Sequence, residues 1–430
     1  MDWLTPQVMA FTLGGLLIVA TVVRLGMSIV SGARRMSREE RLAELELRVF
    51  QEKIDLARSQ RAKTESAQEA WDGFRKFEVA RKRFEGGDIC SFYLKPHDGR
   101  PLPGFKPGQY LTFQLRIPGQ SKPVIRCYSL SDAPCDSHYR VSIKRCPPPR
   151  DKPEAPPGLS SNFFHDQVNE GDILDVRAPS GGFYCEPDGD ELMPVVLIGG
   201  GIGLTPVLSM AKAIADAGVK RETWLFYGVR NNAERVLGDE LEAIGREHDH
   251  IHVRYVHSSP GEDEVEGRDY DLKGYIGVEL FKQVLPSNNY IFHICGPPPM
   301  MASLVEQLEE WGVPDEHVRF EAFGPATVKR KKKAEDTPAG DGAPAKTYTV
   351  TFERSAVTEA WDSESDSLLD FGEDKGVALD SGCRAGNCGS CLVAIKSGSV
   401  AYDTEPGAKP ESGSCLLCVC RPTSDLVLDA

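Results

Sequence analysis

Positive charge is in short supply. The 430 residues carry 50 Lys and Arg against 64 Asp and Glu, a formal net charge of −14. That balance argues against nucleic acid and favours basic partners. Also missing is a basic flank ahead of the first apolar run, where only Asp2 stands. A cleaved signal peptide needs that positive flank, so its absence argues for an anchor instead. Charge of either sign is absent from residues 3–23. Residues 37–76 lack Pro entirely and hold a single Gly, Gly73.

These gaps frame what is present. A helix from Val8 to Val30 would be about 34 Å long at ~1.5 Å per residue, enough to span a bilayer. Arg34 and Arg35 follow it, and the positive-inside rule then expects a single-pass inner-membrane protein, N-terminus outside and catalytic domains in the cytoplasm. Arg24 either snorkels or marks the end of the span. Residues 1–36 are thus expected to be a transmembrane anchor and 37–76 a spacer helix rich in Glu, Arg, Ala and Leu. Leu47, Phe50, Ile54 and Ala57 form a short apolar stripe that also suits a coiled coil.

The chain is too long for one ordinary domain. Residues 77–190 read as short alternating strands such as "GQYLTFQLRI" and "YRVSIKR", expected to form an antiparallel barrel. Residues 191–326 alternate buried-strand runs ("PVVLIGG", "TWLFYGV", "YIFHICG") with helical stretches, a parallel α/β pattern. Residues 327–346 open with five clustered basic residues and continue in Ala, Pro and Gly, the composition of a flexible linker. Residues 347–430 begin and end in strands.

Twelve cysteines are present, and six crowd into residues 383–420. Such clustering suits metal ligation better than a disulfide framework. "CRAGNCGSC" has the spacing Cys-x4-Cys-x2-Cys over Cys383, Cys388 and Cys391. That is the plant-type 2Fe–2S spacing, whereas a zinc knuckle more often uses two Cys-x2-Cys pairs. A fourth ligand must come from "CLLCVC", which offers Cys415, Cys418 and Cys420.

Two further motifs concern cofactors. In "RCYSLSDAP", Arg126 and Tyr128 share a strand face with Leu130, placing a guanidinium and an aromatic ring beside Ser129. "PPGLSSNFFHD" puts Gly158, Ser160 and Ser161 at a helix start, where free N–H groups suit a pyrophosphate. "VVLIGGGIGLTP" is a strand, glycine turn and helix. Its Gly199, Gly200, Gly201 and Gly203 allow close approach of a dinucleotide, and Thr205 follows. "CGPPPMM" comes later with Cys295, Gly296 and Pro297, directly after another buried strand. The segment "PGEDEVEG" holds four carboxylates and opposes the extra phosphate of NADPH, so NADH is expected.

Together these motifs resemble the ferredoxin–NAD(P)+ reductase superfamily fused to a plant-type ferredoxin domain, in the order of phthalate dioxygenase reductase-like proteins. "RCYSLS" is similar to the flavin motif R-x-Y-S-x-S/T, which Ser131 completes, and "PSGGF" fits the next turn. The resemblance implies a multidomain chain with a flavin-binding β-barrel, a Rossmann-like nicotinamide domain and a β-grasp ferredoxin domain. It implies FAD, NADH and a 2Fe–2S cluster as cofactors. Tyr128 and Ser129 would flank the isoalloxazine, and Arg126, Ser160 and Ser161 would hold the phosphates. Thr205 and Cys295 would lie beside the nicotinamide, and Phe323 of "FEAFG" over the flavin. Ser129, Thr205 and Cys295 are the expected catalytic residues. Cys418, with 26 residues between it and Cys391, aligns with the fourth ligand, and Cys420 is its nearer rival. The insertion "CPPPRDKPEAPPG" (146–158) resembles one in the flavin subunit of sodium-pumping NADH:quinone reductase.

The implied function passes electrons from NADH through FAD and the cluster to a membrane-associated acceptor such as an oxygenase or hydroxylase component. A quinone acceptor and a subunit without turnover in a larger complex are the alternatives. Residues 346–430 hold 14 acidic and 7 basic residues, which expects an acceptor with a basic docking surface.

Overall fold

A computed structural model describes residues 71–430, except 72, 149–152, 189–191, 324–347, 363–364, 385, 387, 403–405 and 407–409, together with helical residues 21, 22, 24, 25 and 27. Most of the expected anchor, nearly all of the expected spacer helix and the expected linker lie outside the described residues. The chain divides into two units, 1–69 and 70–430, and every sheet among the described residues belongs to the second. The spacer expectation overran: Arg75 and Lys76 already belong to a strand. Trp71 packs on Phe77 at 5.4 Å between ring centroids and donates Nε1–H to Val176 O at 3.0 Å.

Six strands build the first sheet: β1 (Arg75–Gly86), β2 (Ile89–Pro96), β3 (Tyr110–Leu115), β4 (Val124–Ser129), β5 (Tyr139–Lys144) and β6 (Ile173–Ser180). Their order is β4-β3-β6-β1-β2-β5. A bridge between Leu130 and Val141 joins the two end strands, and Ser131 N–H donates to Arg140 O at 2.9 Å. The sheet thereby closes into a barrel, which removes its open edges. Phe77, Phe92, Phe113, Tyr139 and Phe164 fill the interior. Helix α1 (Leu159–Asp166) lies between β5 and β6.

The second sheet is wholly parallel: β7 (Val195–Gly200), β8 (Thr223–Val229), β9 (Ile251–His257), β10 (Leu272–Lys273), β11 (Ile291–Cys295) and β12 (Val318–Glu321), in the order β10-β9-β8-β7-β11-β12. Helices α2 (Leu204–Asp216), α3 (Gly238–Glu247), α4 (Val278–Val284) and α5 (Pro298–Glu310) connect the strands. Two hydrophobic clusters pack the sheet, which is why β7 and β11 are buried at every position. The strand order reverses between β7 and β11. Ligands bind at such a switch point, outside the carboxyl ends of the strands.

The third region has a five-stranded sheet, β14-β13-β19-β15-β17, and a two-stranded one, β16-β18. The strands are β13 (Thr349–Phe352), β14 (Val357–Ala360), β15 (Leu392–Ser397), β16 (Val400–Tyr402), β17 (Ser414–Leu416), β18 (Cys420–Pro422) and β19 (Leu426–Leu428). First and last strands, β13 and β19, run parallel side by side. Helix α6 (Leu368–Asp374) buries Leu368, Leu369 and Phe371 against them, and the Ser367 hydroxyl caps it by accepting the Asp370 N–H at 3.2 Å.

Candidate functional site

Strand β4 is the centre of the arrangement. It pairs with β3 so that Arg126 faces Phe113 and Tyr128 faces Leu111. The Tyr128 ring meets Phe164 edge-on at 5.3 Å and Phe113 at 5.8 Å. Burial pushes its phenol above the ordinary range, so Tyr128 acts as a neutral flat surface. Arg126 is exposed, and its Nη1 donates to Ile125 O at 2.7 Å. Ser131 is fully buried, its hydroxyl 2.8 Å from Ser142 Oγ, which in turn lies 2.7 Å from Ser91 Oγ. That hydroxyl chain lies on the outer side of the barrel wall, because Ser91 and Ser142 alternate with the interior residues Phe92, Val141 and Ile143, and it holds Ser131 away from the Arg126 and Tyr128 face.

The expected phosphate segment begins at Gly158. Gly158 N–H donates to Cys146 O at 3.0 Å, and the Ser161 hydroxyl accepts the Cys146 N–H at 3.2 Å. A Cβ on Gly158 would come within 2.6 Å of Cys146 Cβ, so the two ends of the 146–158 insertion are clamped together. Ser160 is buried, and its hydroxyl has no hydrogen-bond partner among the described residues. An unmatched buried hydroxyl at a helix start suits a phosphate oxygen and fits a flavin nucleotide.

The two glycine turns meet at the switch point. A Cβ on Gly296 would come within 3.1 Å of Gly200 Cα, and one on Gly203 within 2.2 Å of Cys295 O. Gly199 has Leu204 Cα in the same position at 2.9 Å. Gly201 adopts φ +54°, with nothing within 4 Å of where a side chain would stand. This leaves an open cradle at the carboxyl end of β7, before α2, in whose first turn Leu204 N–H is bonded to Gly201 O and Ile202 O and Pro206 carries no N–H. Thr205 is buried and its hydroxyl donates to Ile202 O at 3.0 Å. Pro297 caps α5 on the other wall.

Cys295 is fully buried, and burial pushes its thiol well above the ordinary range, with the nearby Glu321 carboxylate adding to the rise. It stays a neutral thiol. Its Cα partner on β12 is Glu321, a residue that sequence reading passed over in favour of Phe323. Burial pushes the Glu321 carboxyl up to about 8, against the lowering effect of Ser129, whose hydroxyl donates to Oε2 at 3.4 Å. Ser129, Cys295 and Glu321 therefore converge where barrel and parallel sheet meet. The signal available was a lone acid in the apolar run "FEAF". Phe323 lies two residues further on and is 40% exposed.

At the carboxyl end of β8, Arg230 Nε donates to Glu234 Oε1 at 2.6 Å. Glu264 reaches back from the loop after β9, accepting from Asn232 N–H at 2.8 Å and lying 2.8 Å from His257 Nδ1. The cation here is matched, and a further carboxylate lies close by.

In the third region, the loop holding Cys383, Cys388 and Cys391 turns its backbone toward sulfur. Cys383 N–H donates to Cys388 Sγ and Cys388 N–H to Cys383 Sγ, each at 3.2 Å, and Gly386 N–H to Cys418 Sγ at 3.3 Å. Cys391 Sγ and Cys418 Sγ are 3.1 Å apart. Gly389, at φ +72°, has nothing within 4 Å of a would-be Cβ. Four thiols with backbone donors beside them and open space at Gly389 fit an iron–sulfur cluster. Cys415 and Cys420 are fully buried and hydrogen-bonded to each other. The loop rests on the barrel: a Cβ on Gly382 would lie 3.3 Å from Ile125 Cγ2 on β4. Asp380 Oδ2 is 3.8 Å from Lys122 Nζ, and the Cys388 charge acts on Cys127 of the same strand.

Barrel, switch-point sheet and cysteine loop together present a candidate flavin wall, a candidate nicotinamide crevice and a candidate iron–sulfur loop. Comparison with known proteins agrees. The family descriptions "Oxidoreductase FAD-binding domain", "Oxidoreductase NAD-binding domain" and "2Fe-2S iron-sulfur cluster binding domain" match residues 76–184, 197–306 and 350–423. The solved structure of phthalate dioxygenase reductase is 27% identical, covering 84% of this chain and 98% of that one with TM-score 0.50. The FAD/NAD-binding domain of nitric oxide dioxygenase from Vibrio cholerae is 29% identical, covering 59% of this chain and 100% of that one with TM-score 0.52. The flavohemoprotein of Halalkalibacterium halodurans is 36% identical over 256 residues, 60% of this chain and 61% of that one. That of Rhodopirellula baltica is 39% identical over 255 residues, 59% of this chain and 62% of that one. The chain thus spans about three fifths of the flavohemoproteins it matches. It carries FAD-binding, NAD-binding and 2Fe–2S domains in the order of phthalate dioxygenase reductase.

The expected localisation requires correction. No helix among the described residues is long and apolar enough to cross a membrane. The similar proteins include flavohemoproteins and phthalate dioxygenase reductase. The inner-membrane placement, the anchor and the quinone acceptor therefore lack support. None of the similar proteins named above is a sodium-pumping reductase, so the likeness of the insertion to that subunit lacks support as well.

Proposed function

We propose that the chain is an NADH-dependent reductase whose electrons leave through the cluster to a protein acceptor, such as an oxygenase or hydroxylase component. The observation that carries this reading is strand β4. Its Ser129 end meets Glu321 at 3.4 Å, beside the nicotinamide crevice, and its Ile125 end meets the cysteine loop. Four residue steps along the strand separate those ends, about 13 Å at ~3.3 Å per residue. A flavin held by Arg126, Tyr128 and Ser160 would supply hydride acceptance and one-electron release, which matches a two-electron donor to a one-electron cluster.

The chain's own residues do the positioning. Tyr128 offers a neutral aromatic face to a flat ring, while Arg126 and the Ser160 hydroxyl are placed for phosphate. Gly201 and the first turn of α2 receive a pyrophosphate, and Gly203 brings Cys295 against that turn. Cys295, neutral and buried, excludes water beside the ring-transfer site. Glu321, protonated near neutral pH, can donate a proton through Ser129. Cys383, Cys388, Cys391 and Cys418 are assigned as cluster ligands.

The donor preference follows from Glu234 and Glu264. With Arg230 already paired, a 2′-phosphate would meet a net negative edge. Steady-state reduction of an artificial acceptor is expected to favour NADH over NADPH by more than about ten-fold, roughly 1.4 kcal/mol of discrimination. A ten-fold preference for NADPH would sink this part of the reading. The acidic cluster domain suits an acceptor with a basic docking surface. Transfer to such an acceptor should slow as salt is raised, with NADH-to-flavin transfer unaffected; a salt-independent rate would remove the electrostatic docking claim.

A further inference from the structure

Two acids and two bases form a closed ring between the barrel and the parallel sheet. Arg140 of β5 donates from Nη1 to Glu240 Oε1 of α3 at 2.6 Å and from Nη2 to Oε2 at 3.1 Å. Glu240 Oε2 accepts from Lys212 Nζ of α2 at 2.9 Å. Lys212 also pairs with Asp132 Oδ1, and Asp132 Oδ2 returns to Arg140 Nε at 3.5 Å. Barrel and sheet each contribute one acid and one base. The Asp132 backbone is pinned separately, its carbonyl accepting from Ser209 Oγ at 2.7 Å.

The ring is buried enough to matter. Arg140 is 2% exposed, and the other three side chains are 16–24% exposed. Burial would raise the Asp132 carboxyl, but His138, Arg140 and Lys212 outweigh it and hold the group far below the ordinary range. Burial likewise opposes ionisation of Glu240, and Arg140 and Lys212 overcome it. Asp132, Arg140 and Glu240 are thereby held in their charged forms. Buried ion pairs are poor sources of net stability, because desolvation consumes much of their attraction, and their best-attested use is to select one geometry.

The ring's position indicates which geometry is selected. Asp132 lies three residues after Ser129, just beyond the end of the flavin strand. Lys212 lies on α2, two turns from Thr205 and the cradle at Gly201. We infer that Asp132, Arg140, Lys212 and Glu240 are positioning residues that fix the nicotinamide crevice against the flavin wall for hydride transfer. The inference rests on the proposed NADH-to-flavin reading. The physical reason for such a device is steep: displacement of reacting atoms by about 1 Å costs on the order of 10²-fold in rate. A ring with complementary charges from both sides has a single register, whereas an apolar contact slides.

The test uses the full chain carrying its cofactors. Lys212→Met and Glu240→Gln are compared with wild type in single-turnover reduction of the flavin by NADH, normalised to bound flavin. Deuterated NADH supplies the isotope effect. Amide hydrogen exchange without nucleotide is measured over 131–138 and 204–212. Both variants should slow reduction by about 10- to 100-fold with a raised isotope effect. The half-saturating NADH concentration should move less than about three-fold, and both segments should exchange faster. Lys212→Arg should recover most of the rate. Reduction within about two-fold of wild type with unchanged exchange would overturn the inference, as would a loss confined to half-saturation. If wild-type flavin is not reduced by NADH, the donor reading fails. The exchange arm then decides the ring alone: faster exchange supports it and unchanged exchange overturns it.

Discussion

Cys418 and Cys420 stand two positions apart, yet their surroundings separate them. Cys418 Sγ is 3.1 Å from Cys391 Sγ and accepts a backbone N–H from the same loop. Cys420 is fully buried, paired through its thiol with Cys415, and faces Tyr402 across β16. Cys418→Ser should therefore abolish the visible absorption of the cluster, while Cys420→Ser and Cys415→Ser keep it. Survival in Cys418→Ser with loss in Cys420→Ser would reverse the assignment. The proposed choice of Cys418 rests on resemblance to an ending of Leu-x-Cys followed by Pro and a final strand, a pattern that is local in sequence. Ser131 was less readable. A serine at the end of a strand looks the same whether it faces a cofactor or a buried hydroxyl chain, and only the β5 partner Ser142 decides. Glu321 was less readable still, because its raised pKa of about 8 comes from burial that long-range packing creates. Its folded-state value lies above the ordinary 4.5. The neutral acid thus contributes its full stability below about pH 4.5, and that contribution is lost as pH rises through about 8. The melting temperature of Glu321→Gln should fall less between pH 5 and pH 8 than that of wild type, by a few degrees at roughly 2–4 °C per kcal/mol. Equal falls in the two proteins would show that Glu321 is ionised at neutral pH.

Elements explain why the two glycine turns meet. β7 and β11 pair in parallel along five residues, Val195 to Gly199 against Ile291 to Cys295, so both strands deliver their turns to the same edge. No side chain fits between them at Gly203, where a Cβ would lie 2.2 Å from Cys295 O. Gly203→Ala should destabilise the protein by about 1–3 kcal/mol and raise the half-saturating NADH concentration more than it lowers flavin content. Calorimetry and NADH titration check both, and a fully wild-type response would contradict the close approach. At this scale much was legible: the alternating strands of the barrel, the continuous apolar runs of the parallel sheet, and the strand–turn–helix at Gly199 to Thr205. The ends of elements were less so. The spacer helix was expected through residue 76, but Arg75 and Lys76 pair with β6, because the sheet supplies hydrogen-bond partners that local propensity ignores.

Across the molecule, domain order was readable because each domain carries its own motif. Contacts between domains were not. Arg140 and Glu240 are 100 residues apart, and nothing near either residue announces the other. The same holds for Ile125 and Gly382, whose contact puts the cysteine loop on the flavin strand. The central claim is that this strand links a nicotinamide donor to an iron–sulfur outlet. Anaerobic titration of the full, cofactor-loaded chain with NADH tests it most directly, following flavin absorbance and the electron paramagnetic resonance of the cluster together. The expected result is bleaching of the flavin followed by a reduced-cluster signal within the same titration. A flavin that NADH does not bleach, or one that bleaches while the cluster stays oxidised, would contradict the account.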